Sequence, residues 1–315
     1  MNRVEDRRAY AFHYFIRAAI LCGFSFYIVY LVKTGSMPHY LAPRLVPYVK
    51  ASAIALFVLA VIQIYLALQP AAGKEPDCGC ESDVRKSKLS HSAAYSLFLL
   101  PLLLGFLLPD RVTGSDIVQV KGIQLNTSSL QTQRNASPQD DPPKKELSSG
   151  GTSQGGEDTE EARLKEMFKG SRFTEDYAKL AMRLYKNKTI LIGDKGFMEK
   201  LTAVDLFAGN FAGKQMEISG FVYREDGMPK NQFVVARLTM QCCSADASPY
   251  GVIVEAPGAD SYLKDTWVTV KGTIRKSVYE DKDVMKLEGA VIQKIKEPSS
   301  PYVYPYAGDF ADLGK

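Results

Sequence analysis

The stretch Ala51–Leu68, ASAIALFVLAVIQIYLAL, holds one strongly polar residue, Gln63, in eighteen positions, with Lys50 at its edge. That approaches the length of about 20 apolar residues that a helix needs to cross a bilayer. Two other stretches share this character. Phe12–Val32 is interrupted only by Arg17, and Ser92–Pro109 carries Pro101, which is expected to kink it. Tyr10, Tyr14, Tyr30, Tyr48 and Tyr65 cluster near the ends, where aromatic rings favour the boundary between lipid and water. Three such segments in succession read as transmembrane helices, at about 12–32, 51–68 and 92–109, and not as core helices of a soluble protein. No A-x-A site follows the first segment, and Leu21 is too bulky for lipoprotein processing at Cys22, so the segment reads as an uncleaved span.

Averages over the chain conceal this segregation. With 315 residues, 46% apolar, 23% charged and net charge +4, the composition excludes collagen, a wholly disordered chain and a disulfide-dense scaffold. Residues 1–109 hold 11 Lys/Arg against 6 Asp/Glu, residues 110–159 hold 5 against 7, and residues 160–315 hold 23 against 22. The positive excess therefore accompanies the apolar third and bears on membrane orientation. Arg3, Arg7 and Arg8 precede the first span, and Lys74, Arg85, Lys86 and Lys88 lie between the second and third. Lys33, Arg44, Lys50 and Arg111 fall on the other side. The majority places the N-terminus in the cytoplasm and, after three crossings, the C-terminal domain outside it. Arg17 either snorkels to the near interface or meets a partner carboxylate or carbonyl, the alternatives to a costly buried charge.

From Val112 to about Asp158 the chain turns to Ser, Thr, Gln, Gly, Pro and Asn, and residues 111–159 read as a disordered, low-complexity linker. Order resumes at 160–315. Tyr177, Leu180, Ala181, Leu184 and Tyr185 form one helical face within Thr174–Lys186, with Glu175 and Asp176 in the first turn. Thr189–Ile192 reads as a strand, and Phe197, Leu201, Val204 and Ala208 as a second helix ending near Gly209 and Gly213. Five strands are expected next: Lys214–Arg224, Gln232–Cys242, Gly251–Glu255, Asp265–Ile274 and Val284–Lys296. In the second, Val234, Ala236, Leu238, Met240 and Cys242 alternate; in the last, Met285, Leu287, Val291 and Ile295 do so. Turns are expected at Glu225-Asp226-Gly227, Ala247-Ser248-Pro249 and Pro257-Gly258, and a helical turn at Ala259–Lys264. Five strands with that insertion match an OB-like small β-barrel at about 214–296, with a generic α+β sheet as the fallback. The tail, PSSPYVYPYAGDFADLGK, reads as an irregular strap or a disordered end. The fold class is thus a membrane-anchored α+β protein: membrane domain 1–110, linker 111–159 and soluble domain 160–315.

Chemistry is limited by what is missing. The histidines are His13, His39 and His91, so the outer domain has no Ser-His-Asp or Cys-His unit. Walker, Rossmann and zincin motifs are absent, and no enzyme is expected. Cys22 reads as a small apolar residue within a span. Cys78 and Cys80, in PDCGC, with Glu81, Asp83 and His91 nearby, could hold a soft or borderline metal such as Zn²⁺ or Cu⁺, or simply occupy a flexible loop. Cys242 and Cys243, in QCCSADA, read either as a core cysteine with an incidental neighbour or as a metal or partner-thiol site joined by Asp246. Strand alternation puts Cys242 with the apolar set and Cys243 with Arg237, Thr239 and Gln241. A vicinal disulfide would demand a strained backbone, and the spacing is not the C-x-x-C of thioredoxin-like sites.

At GFVYRED (Gly220–Asp226), VVARLTMQCCSADA (Val234–Ala247) and YGVIVE (Tyr250–Glu255), the chain resembles the YcgQ-like family of bacterial membrane proteins. The similarity is clearest over about residues 189–296, and CC-x-A-D-A is its most specific piece. The resemblance implies an accessory subunit of a two-component permease, partnered by a separate polytopic permease subunit. Relatives with a His/Cys-rich loop between spans two and three differ from this chain, which has only Cys78, Cys80 and His91 there. The expected function is thus a permease accessory subunit for a metal or small solute. Its rivals are an envelope-associated binding protein without a transport role, and a thiol redox protein. Nucleic acid is not an expected partner, because the outer domain is nearly neutral.

Overall fold

The computed structural model describes residues 2–68, 88–107, 114–125, 156–172 and 174–314. The chain divides into two compact units, Met1–Arg111 and Val112–Lys315.

The N-terminal unit is helical: α1 (Asn2–Thr34), α2 (Val46–Leu68) and α3 (Lys88–Leu107). Two segments, Ala11–Thr34 and Pro43–Leu68, are helical, long and apolar enough to cross a membrane, while the apolar part of α3 is the shorter Tyr95–Leu107. Small residues bring these helices together. Ser25 Oγ donates to the Ala53 carbonyl at 2.8 Å, fastening α1 to α2 and satisfying a buried hydroxyl. Gly23 leaves room for the Leu102 side chain, and Gly105 for the Tyr27 ring. His13 Nδ1 lies 3.0 Å from the Tyr95 hydroxyl.

The C-terminal unit combines helices α4 (Gly114–Lys121), α5 (Gly156–Met167), α6 (Glu175–Lys186) and α7 (Phe197–Leu206) with a mixed sheet. Its strands are β1 (Thr189–Ile192), β2 (Gln215–Tyr223), β3 (Gln232–Thr239), β4 (Ser248–Glu255), β5 (Trp267–Tyr279), β6 (Lys282–Lys294) and β7 (Tyr302–Val303). They lie in the order β1-β2-β5-β6-β4-β3-β7, and β2 also pairs with β3, so β2, β3, β4, β6 and β5 follow one another in a closed circuit. A Cβ on Gly220 would run into the Ala236 backbone, so the glycine is what lets β2 curl onto β3. Phe233, Val235, Val252, Val254, Val268, Val270, Met285 and Leu287 fill the core, which continues into Leu180 and Leu184 of α6 and Phe197 and Leu201 of α7.

Several sequence expectations need correction. Within 111–159, α4 and Ile123–Gln124 are ordered against the sheet. Gln124 N–H donates to the Pro249 carbonyl at 3.0 Å, and Gly251 N–H to the Gln124 carbonyl at 3.1 Å. A polar composition obscured this docking, in which Val118 is the buried anchor. Residues 126–155 of the expected linker lie outside the described residues. The expected turn at Ala247-Ser248-Pro249 enters β4 instead, with Pro249 opposite Leu238. In β3 the core takes Phe233 and Val235, while Val234, Ala236 and Leu238 are buried on the other face. In β6 the register slips between Lys271 and Thr273 of its partner, beside Gly289 at φ +60°. This bulge turns Val291 out to 72% exposure and Ile292 towards the core. The tail is a strap, pairing through β7 with β3 at Leu238 and Thr239.

Candidate functional site

The expected strand Gln232–Cys242 stops at Thr239, and the cause is Asp246. Its Oδ1 accepts from Gln241 N–H at 2.9 Å, and its Oδ2 from Cys242 N–H at 2.7 Å and Cys243 N–H at 3.4 Å. A carboxylate that captures three consecutive amides offers the backbone an alternative to the ladder. The chain leaves the sheet, makes a short helical turn at Ser244–Asp246, and re-enters at β4. Cys242 is therefore not on an apolar strand face. It is exposed, and Cys243 is half-buried beside it.

This loop brings three donors together. The two sulfurs are 3.7 Å apart, too far for a disulfide, and both thiols are free. The ligand atoms of Cys242, Cys243 and Asp246 all lie within 4.8 Å of one another, the only such group of three or more His, Cys, Asp or Glu among the described residues. Hydrogen bonding to Asp246 and then to Cys243 pushes the Cys242 thiol up to about 11. Burial works to raise the Asp246 carboxyl, but hydrogen bonds from the Cys242 thiol and from the Cys242, Gln241 and Cys243 amides outweigh it and hold the group below its ordinary range. A thiol kept protonated in this way is a poor nucleophile at neutral pH, which counts against thiol redox chemistry. A metal ion that displaces the proton would find two sulfurs and a carboxylate oxygen already gathered.

The other expected site falls mainly outside the described residues. Cys78 and Cys80 lie outside the described residues, and His91 falls in the first turn of α3. Cys22 is exposed on α1.

Two residues were missed by reading the sequence. Lys121, assigned to the linker, donates from Nζ to the carbonyls of Ala245 and Ala247 at 2.8 and 2.6 Å. Only a long-range packing signal could have revealed it. Arg237, expected on the face of β3 opposite the apolar set, is buried, 2.8 Å from Asp194 and over the Trp267 ring at 5.0 Å. Burial lowers the guanidinium pKa and the Asp194 charge opposes that shift.

The chain matches two family models: the DUF1980 N-terminal domain over residues 16–124 and the DUF1980 C-terminal domain over residues 167–305. Among curated proteins it is 26% identical to the UPF0703 protein YcgQ of Bacillus subtilis, over 91% of this chain and 98% of the relative. It is also 26% identical to a Streptococcus mutans protein named "Putative two-component membrane permease complex subunit", over 92% of this chain and 98% of that one.

Proposed function

We propose, from the premise that this chain belongs to the DUF1980 family, that it is the accessory subunit of a membrane permease and not an enzyme. The Streptococcus mutans relative's name supports a permease partner in general terms. In this reading α1, α2 and the Pro101-containing α3 are three spans that dock on a polytopic permease subunit within the bilayer. The Lys/Arg distribution supports a cytoplasmic N-terminus with the C-terminal domain outside. The closed circuit of β2, β3, β4, β6 and β5, with a short helical turn between β4 and β5, favours an OB-like barrel as the outer domain.

The observation that carries a metal-binding role is the Cys242–Cys243–Asp246 cluster. Two thiolates at about 2.3 Å from a tetrahedral zinc ion stand about 3.8 Å apart. The sulfurs here are 3.7 Å apart, so a soft or borderline divalent ion such as zinc fits with little rearrangement. Three protein donors on an accessible loop leave a fourth position for water or for a donor from the permease, as expected of a site that hands its ion on.

The test is metal analysis of the full chain purified in mild detergent, alongside Cys242→Ser and Cys243→Ser. About one zinc-class ion per chain, lost in both variants, is the expected result; equal and negligible metal in all three removes the site. A tagged chain should also co-purify a polytopic permease, and repeated failure to do so removes the partner.

A further inference from the structure

The Cys loop is braced from outside, and the brace is the last residue of α4. Lys121 Nζ grips the carbonyls of Ala245 and Ala247, the two residues that flank Asp246. Asp246 in turn reaches back to the amides of Gln241, Cys242 and Cys243. Hydrogen bonds from one ammonium thus fix the backbone on either side of Asp246, whose carboxylate holds the amides of the residues that carry both sulfurs.

The helix that presents Lys121 is seated independently of it. At its start, Ser115 N–H donates to Asp265 Oδ1 at 2.8 Å, and Asp265 itself sits in the left-handed region at φ +63°. Gly114 lies against the Phe221 ring, where a Cβ would collide, and Val118 is buried. Beyond the helix, Gln124 is hydrogen-bonded to the backbone of β4 at Pro249 and Gly251. Lys121 is exposed along its stem and adds nothing to that seating except the two bonds to the loop.

We propose that Lys121 is the positioning residue of the Cys242–Cys243–Asp246 site, holding the turn so that Asp246 faces the two cysteines. This rests on the metal-binding reading given above. The seat of α4 on Asp265, Phe221 and the β4 backbone does not involve the loop, so the brace is in place before an ion arrives. Such outer-shell partners are worth about 10–100-fold in metal affinity.

The experiment compares wild type, Lys121→Met and Lys121→Arg, each as full chain in detergent. Zn²⁺ affinity is read by competition with a chromogenic chelator, and ligand geometry by the absorption spectrum of the Co²⁺-loaded protein. Lys121→Met is expected to keep the stoichiometry, lose about 10–100-fold in Zn²⁺ affinity and alter the Co²⁺ spectrum, with Lys121→Arg restoring both. Wild-type affinity in Lys121→Met overturns the proposal. Should wild type itself bind no Zn²⁺, the metal reading fails on its own, and the brace is decided by alkylation of the metal-free chain. Cys242 labelling several-fold faster in Lys121→Met than in wild type and Lys121→Arg supports it, and equal labelling overturns it. Unchanged thermal unfolding of Lys121→Met separates loss of the brace from loss of the fold.

Discussion

Asp246 and Glu199 each fasten an irregular segment within the C-terminal unit, yet they reach opposite electrostatic states. Asp246 gathers three amides of the Cys loop across both oxygens, and its carboxyl stays below the ordinary range. Glu199, in the first turn of α7, is only 7% exposed and holds the C-terminal strap through one bond, from Tyr306 N–H to Oε1 at 2.9 Å. Its Oε2 has no hydrogen-bond partner among the described residues. Burial therefore prevails over the backbone hydrogen bonds and raises its pKa. The difference lies less in the carboxyl group than in how many donors repay the loss of water. An anchor with three donors can remain a charge and act on neighbouring thiols; an anchor with one is pushed towards the neutral acid.

The comparison breaks most visibly if the charge at Asp246 is removed. Asp246→Asn takes away the first cause of the raised Cys242 pKa and leaves the lesser one, Cys243. Alkylation proceeds through the thiolate, so a fall from about 11 towards the ordinary thiol value increases labelling of Cys242 at pH 8 by up to about 100-fold. Mass spectrometry of quenched time points reads it residue by residue. A rate equal to wild type would mean that the carboxylate does not govern the thiol.

Glu199→Gln tests the other half through stability. A raised carboxyl pKa means that, above the ordinary value of 4.5, the folded chain holds a proton that the unfolded chain has already released. Stability from this group is therefore greatest in acid and falls as pH rises through the window from the unfolded to the folded pKa. Above that window the deficit persists. Glutamine removes the titration, so the variant should be more stable than wild type at pH 8 and lose that advantage near pH 4. Trp267, the single tryptophan, reports unfolding of the sheet in urea by its fluorescence. A variant less stable than wild type at pH 8 would contradict the assignment.

The same contrast shows which parts of the molecule were legible in the sequence. The apolar runs that became α1 and α2, the amphipathic face Tyr177–Leu184 and the five central strands could be read because burial imposes a period on sequence. What escaped were features that a burial period does not encode: a carboxylate capturing nearby amides, a turn, a bulge and one long-range contact. Continuing β3 to Cys242 was the correct extension of an alternating pattern, and only the reach of Asp246 across four residues ends it. The β5–β6 hairpin turns at Glu280-Asp281, both at positive φ, without the glycine or asparagine that marks such a turn. The bulge beside Gly289 reversed the faces of Val291 and Ile292, as one extra residue must in a structure of period two. The cysteine pair and Asp246 were legible as chemistry, since their residue types and spacing suggest a site. Lys121 was not, because nothing local connects it to carbonyls more than a hundred residues away.

Asp246→Glu gives the smallest effect and separates charge from geometry. Glutamate keeps a negative charge near Cys242 but carries it on a side chain one methylene longer. The present carboxylate divides its oxygens among the three amides at 2.7 to 3.4 Å, a fit that depends on the short aspartyl arm and on Lys121 holding the turn. The longer arm has to fold back to reach them and loses some of those bonds, while the Coulomb repulsion that disfavours a thiolate survives. Labelling of Cys242 should therefore rise only a few-fold, well short of the asparagine variant. If glutamate and asparagine give the same rate, the hydrogen bond alone sets the Cys242 thiol and the nearby charge adds nothing. If glutamate matches wild type, the charge alone suffices, and the number of amides captured does not explain the difference between Asp246 and Glu199.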